Sequence, residues 1–249
     1  MSSVWTIALH ELRRFFLSPF AWITFAATQF FLAYFFYLLL QNYLQLPTTQ
    51  INSGLTTFVG IGIYQIFAWL LLLIVPLTSM RVFSDELRGG TIRLLLSSPV
   101  TVTQIVIGKY LGLIIFLSLL ALLVSFMPLS LISGTQLDTG LLTIGLLALI
   151  LLSAALSSVG LFLSSLSRSP AMSAMSTFVV CFLLWIIHVA NDSVSPELEA
   201  IISYLSLQKH FNALLSGAFS SVDLFYFILI CGFFTALAIW RLDALRTQE

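Results

Sequence analysis

An all-α integral membrane protein is the fold class this sequence predicts, on three observations. Hydrophobic residues fill 59% of the 249 positions and charged residues only 8%, with a mean hydropathy of +1.07, whereas soluble domains carry about 25% charged residues. From Phe15 to Met80 there is no Asp, Glu, Lys or Arg. A helix needs only about 20 apolar residues to cross roughly 30 Å of hydrocarbon, so that run alone holds two crossings. The apolar runs also exceed the ~10 residues of a barrel strand, and helices then satisfy their own backbone groups in lipid.

The first element is amphipathic rather than spanning. Over residues 3–16, Val4, Trp5, Ala8, Leu9, Leu12, Phe15 and Phe16 alternate at helical spacing with Thr6, His10, Glu11, Arg13 and Arg14. Ser2 or Ser3 is placed to cap it. A basic helix of this kind lies in the headgroup plane, its aromatics in the acyl boundary and its arginines near anionic lipid. Ser18-Pro19 then turns the chain into the bilayer. Arg13-Arg14 before an apolar run resembles a twin-arginine export signal. The run that follows is long, aromatic and without a small-residue cleavage site, which suits an uncleaved span.

Hydropathy then marks six spans, at 20–40, 58–80, 109–133, 140–164, 171–190 and 223–241, in one membrane domain covering 1–249. The loop from Gln41 to Thr57 is polar and that from Gly134 to Thr139 short. Pro76 is expected to kink the second span. Ser153, Ala154, Ala155, Ser157, Ser158, Gly160, Ser164 and Ser165 make the fourth span small-sided, a pattern read as close packing within the chain ahead of its alternative, a dimer seam. Between the last two spans, 191–222 is expected to be outward. Ser195-Pro196-Glu197 starts a helix there, and Ile201, Ile202, Leu205, Leu214, Leu215 and Phe219 mark one or two amphipathic helices on the outer surface, expected to cap the cavity between the spans.

Basic residues orient the chain. Arg13, Arg14, Arg81, Arg88, Arg93, Lys109, Arg168, Arg241 and Arg246 fall on one side and only Lys209 on the other. With an even number of spans, both termini are expected in the cytoplasm, and Asp138, Asp192, Glu197, Glu199 and Asp223 face outward. Formal net charge is zero, which offers nucleic acid no electrostatic footing. Cys181 and Cys231 fall inside spans and read as small buried hydrophobes.

The one concentrated polar segment outside the termini runs from Arg81 to Pro99. Asp85 and Glu86 precede Leu87, and Arg88 and Arg93 follow, so acids lie toward the start of a short helix and bases toward its end. Gly89-Gly90 interrupts it; Thr91 to Ser98 then offers Ile92, Leu94, Leu95 and Leu96 as apolar knobs, and Pro99 closes the segment. Composition alone also admits a plain solvated connector here.

The run Met80-Arg81, Ser84-Asp85-Glu86, Gly90-Thr91, Leu94-Leu95-Leu96, Pro99 and Gly108-Lys109-Tyr110-Leu111-Gly112 resembles the cytoplasmic loop of type-2 ABC transporter permeases. His10-Glu11-Leu12, Ser18-Pro19, Tyr204-Leu205-Ser206, His210-Phe211 and Gly217 through Asp223-Leu224 are similar to the gliding-motility and copper-enzyme-maturation branch. Asp85 stands where Glu is more usual, with the charge kept. The resemblance implies six spans, cytoplasmic termini, an elbow helix over 1–19 carrying Glu11, Arg13 and Arg14, and a bacterial inner-membrane location. It also implies a coupling loop over 81–99 in which Asp85, Glu86, Arg88, Gly90, Thr91, Arg93, Leu94, Leu95, Leu96 and Pro99 meet an ATPase. The implied partners are an ABC ATPase dimer, a second copy or similar permease subunit, and a membrane-anchored auxiliary protein with a large outer domain.

No Gly-x-x-x-x-Gly-Lys-Ser/Thr phosphate loop occurs, because Gly108-Lys109 is followed by Tyr110. ATP and Mg are therefore expected on the partner, and no cofactor or catalytic residue is expected in this chain. His10, His188 and His210 are scattered, so no metal site is expected. Apart from His188, the middles of the spans hold no ionisable residue, which at roughly 2.5–3.5 kcal/mol per buried charge disfavours an ion-coupled pump. An ATP-driven exporter leads; mechanotransmission to an outer partner, or a scaffold or channel, stays open.

Overall fold

The computed structural model describes residues 3–45, 54–92, 100–133, 137–187, 204–218 and 220–247, and every regular element among them is helical. In order these are α1 (Ser3–Leu17), α2 (Pro19–Gln45), a π-helical stretch Thr56–Ile61 running into α3 (Gly62–Ser79), α4 (Ser84–Gly89) and α5 (Val102–Leu129). A 3-10 turn (Ser130–Ser133), α6 (Thr139–Leu166), α7 (Pro170–Ile186), α8 (Leu207–Leu215) and α9 (Ser221–Thr247) complete the chain.

Five helices are long and apolar enough to cross a membrane, those containing α2, α3, α5, α6 and α9. The expected fifth span appears as α7, an apolar helix of 17 residues, and its remaining positions from His188 on lie outside the described residues. The helices overrun the hydropathy boundaries. α2 continues to Gln45 through polar Gln41 and Asn42, which were expected to begin a loop, because an α-helix leaving the hydrocarbon keeps its own hydrogen bonds at no added cost. α5 starts two turns before its apolar run, at a capping box in which Thr101 Oγ1 accepts the Gln104 N–H (3.3 Å) and Gln104 Oε1 accepts the Thr101 N–H (3.2 Å). α3 continues through Pro76 to Ser79.

α6 sits at the centre, with α3, α5, α7, α8 and α9 packed around it. Its small residues serve packing inside the chain. The hydroxyls of Ser153, Ser158, Ser164 and Ser165 donate to carbonyls three residues back, at 2.6–2.9 Å, so they are buried without orphaned groups. A Cβ at Gly145 would stand 2.6 Å from the Tyr64 ring, and one at Gly160 would stand 2.7 Å from Ser79 Cβ. α2 and α9 lie at the periphery, with Trp22, Phe30, Tyr34, Phe225, Phe233 and Trp240 exposed, as suits surfaces facing lipid.

α1 is amphipathic and presses on α5. A Cβ at Gly108 would come within 2.7 Å of Ile7 Cβ and 3.0 Å of the Val4 carbonyl; one at Gly112 would come within 2.9 Å of Glu11 Cβ and 3.0 Å of the Ala8 carbonyl. Glycines four apart let two backbones meet where lipid gives no hydrophobic drive between helices. Phe116 of α5 then stacks on Phe15 (5.0 Å between centroids) and meets Phe25 edge-on (5.2 Å), joining α1, α2 and α5.

The outward segment differs from expectation. α8 is not laid on a surface: Leu207, Phe211 and Leu214 are fully buried in the main core, filling the space between α6, α7 and α9. A stripe repeating every three to four residues needs a partner surface, and these helices supply one. Ser195, Pro196, Glu197, Ile201, Ile202 and Phe219 lie outside the described residues.

Candidate functional site

The chain leaves α3 at Ser79, makes one turn and enters α4, whose first turn carries Asp85 and Glu86 and whose last carries Arg88. Gly90 ends it at φ +69°, a left-handed conformation that glycine adopts without a Cβ penalty. The interruption expected at Gly89-Gly90 is therefore a helix stop. Val82 and Phe83, just ahead of α4, are buried in a second core cluster with Val102, Ile105, Leu161, Ala238 and Leu242. This cluster clamps the turn onto the starts of α5 and the ends of α6 and α9.

Beneath α4 lies Lys109. Its side chain is 4% exposed, and its Nζ donates to the Val82 carbonyl (2.7 Å), pairs with Glu86 and lies 4.8 Å from the Phe83 ring centroid. A carbonyl, a carboxylate and an aromatic face together compensate an ammonium removed from water. Glu86 thus points into the protein rather than toward a partner. Asp85, its neighbour, turns the other way: Oδ2 accepts from Arg14 (3.3 Å), which also reaches Glu11 (3.5 Å). The Arg14–Asp85 pair is two-fifths exposed on both sides and is worth ~0.2–1 kcal/mol, while stripping one partner from a buried pair costs ~3–5 kcal/mol. Of the two ion pairs, Lys109–Glu86 is the buried one and Arg14–Asp85 the exposed one.

What α4 turns outward is Arg88, Gly89, Gly90 and Thr91, all exposed. Arg13 is exposed on α1. Arg93, Leu94, Leu95, Leu96 and Pro99 lie outside the described residues.

At the opposite end of the bundle a second polar cluster joins α8 to α9. His210 Nδ1 lies 2.5 Å from Asp223 Oδ1, and its Nε2 lies 3.0 Å from the Tyr204 carbonyl. The ring stacks on Tyr226 at 4.0 Å, and Tyr226 Oη donates to the Leu205 carbonyl (2.6 Å). A carbonyl only accepts, so the Tyr204 contact uses Nε2–H as donor, and Nδ1 faces the Asp223 carboxyl. Nearby, Gln65 of α3 donates to Asn212 of α8 (3.2 Å). No group of three or more His, Cys, Asp or Glu able to hold a metal ion occurs among the described residues.

The family model described as ABC-2 family transporter protein matches residues 5–244, the whole described bundle. The chain belongs to the ABC-2 transporter family. No curated protein matches it. Membership makes it a multi-pass membrane permease subunit of an ABC transporter and implies an ABC ATPase subunit as partner.

In this ABC-2 permease the elbow residues Glu11 and Arg14 and the loop residues Asp85 and Glu86, named separately from the sequence, lie in one region; Lys109 was named within the Gly108 to Gly112 run and not as their partner. Its signal was visible: a lone lysine inside Gly108 to Gly112, at the mouth of an apolar run, where an unpaired ammonium is costly. His210 and Asp223 carried a weaker signal, two polar residues thirteen apart in sequence that only the α8–α9 turn brings together.

Proposed function

We propose that this permease subunit serves an ATP-driven exporter, and that α4 with the loop after it receives the stroke of the separate ATPase. The observation that carries this reading is the buried Lys109–Glu86 pair. A docking element that takes load must be rigidly fixed to the spans, and here the outward face of Arg88 to Thr91 backs directly onto α5 through Glu86. Leu94, Leu95 and Leu96 would complete the docking surface and Arg93 its charge, with Pro99 ending it before α5. α1 acts as the elbow helix, bracing α4 through Arg14 and seated on α5 at Gly108 and Gly112.

On this reading, ATP and Mg bind the partner subunits, whose closure moves α4, and α5 carries the displacement into the bundle. The assembly holds two permease subunits, with both termini cytoplasmic, in a bacterial inner membrane.

Reconstitution with its ATPase in vesicles tests the assignment. Glu86→Gln is expected to leave the complex intact while lowering permease-stimulated ATP hydrolysis; stimulation equal to wild type with the complex intact overturns it. A second reading, transmission of force to an outer partner, is favoured by α9. This one helix of 27 residues meets Val82 and Phe83 near its end, through Ala238 and Leu242, and His210 near its start, through Asp223. A membrane-anchored protein of the gliding-motility type would then sit against α8. ATP hydrolysis that changes with such a partner, without cargo movement, separates the two.

A further inference from the structure

Where α1 gives way to α2, a small polar recess of about 90 Å³ opens among Glu11, Arg14, Ser18, Arg81 and Asp85. Phe20 and Leu77 form its apolar floor. The same two residues begin an apolar groove of about 330 Å³ that runs between α2 and α3 past Ile23, Ala27, Leu70 and Leu73. Recess and groove therefore adjoin at these two side chains, together a slot charged at its mouth and apolar along its length.

Two dimensions identify what fits. From Phe20 to Phe31, the last α2 residue in the groove, the helix rises about 17 Å. One leaflet of hydrocarbon is roughly 15 Å thick, so the groove is one acyl chain long and ends near the midplane. At the mouth, Arg14 is engaged by Glu11 and Asp85, but Arg81 has no ion-pair partner among the described residues and is exposed. Arg13 and His10 line an adjoining recess with Arg14. The recess itself sets Arg14 and Arg81 against Glu11 and Asp85, and Arg13 in the adjoining recess brings one positive charge in excess to the mouth.

We propose that this slot is a binding site for one anionic phospholipid, its phosphate at Arg81 and Arg14 and one acyl chain between α2 and α3. The bound lipid fills the gap beneath the α1–α2 turn and ties α1, α2 and α3 together at the end where α4 is held. A zwitterionic lipid offers the same chain but no net charge, so the mouth discriminates between the two.

The test is native mass spectrometry of the full chain in mild detergent, delipidated and then given phosphatidylglycerol or phosphatidylcholine of identical chains. One phosphatidylglycerol is expected to persist where phosphatidylcholine is lost, and millimolar inorganic phosphate is expected not to displace it. Arg81→Gln is expected to weaken phosphatidylglycerol retention about fivefold, the contribution of one basic residue near an anionic surface. Ala27→Trp, which fills the exposed groove, is expected to abolish retention of phosphatidylglycerol. Ile228→Trp, on the exposed face of α9, is expected to retain it and shows that an added lipid-facing tryptophan is tolerated. Equal retention of the two lipids by the wild type overturns the proposal, as does undiminished retention in Arg81→Gln or Ala27→Trp, or displacement by phosphate.

Discussion

At one end of the bundle Lys109, on a long helix, reaches up to a short one; at the other, His210, on a short helix, reaches across to a long one. Both pairs are largely buried, yet the helices they hold are differently attached. α8 buries five residues, Leu207, His210, Phe211, Leu214 and Leu215, and each large apolar side chain contributes ~1.5–3 kcal/mol relative to exposure in water. α4 buries only Ser84. Its preceding turn is anchored by Val82 and Phe83, and α4 itself adds half-buried Leu87 against the same cluster and the pair with Lys109. A short helix with an apolar stripe is docked by packing and oriented by its ion pair; one with a single half-buried leucine depends more on the ion pair.

The sharpest way to break this contrast is Lys109→Met. It leaves the Glu86 carboxylate half-buried without its cation, and a loss of ~3–5 kcal/mol is expected, read as a large fall in the thermal unfolding midpoint in detergent. Adding Glu86→Gln to Lys109→Met is expected to recover part of that loss, because a neutral amide lacks the charge penalty. No recovery would mean that packing around the lysine stem, not charge, holds α4.

Next in size is Gly108→Val, which drives a branched side chain into Ile7 and the Val4 carbonyl. Backbone cannot move aside as a side-chain tip does, so ~1–3 kcal/mol of overpacking is expected, with α1 newly sensitive to protease. His210→Ala follows. The lost hydrogen bond to a charged group contributes ~1.5–3 kcal/mol, and hydrogen exchange is expected to quicken in α8 and the start of α9. α4 is expected to stay protected, and faster exchange there would show that the two ends communicate in the ground state.

Arg14→Gln is the smallest. An exposed pair contributes ~0.2–1 kcal/mol, so the unfolding midpoint is expected to move by no more than a degree or two. A large fall would show that Glu11, 4% exposed and facing Arg14, depends on that cation more than the geometry indicates.

The helices were legible because hydropathy and backbone satisfaction in lipid act over twenty residues at a time, and small errors average out. The orientation of a single side chain in α4 was not. Asp85 and Glu86 are adjacent, equally charged and one methylene apart, and no local rule distinguishes them. The turn set by buried Phe83 points one at Lys109 and the other at Arg14. Likewise, Gly108 and Gly112 were visible as spaced glycines, but α1 had to arrive before their bare backbone had something to meet. α8 read as amphipathic and as a cap over the cavity between the spans, but how deeply it sits was not legible, since its stripe says that it needs a surface and not which surface.

What the sequence by itself determined is therefore the set of apolar helices, the amphipathic first helix and the polar break at Gly89-Gly90, because each follows from composition and spacing within one segment. Only the tertiary structure decided that Lys109 pairs with Glu86, that Glu86 faces inward while Arg88 faces out, and that His210 finds Asp223. Each of these depends on where distant segments meet, and a charge withdrawn from water must find its compensation there.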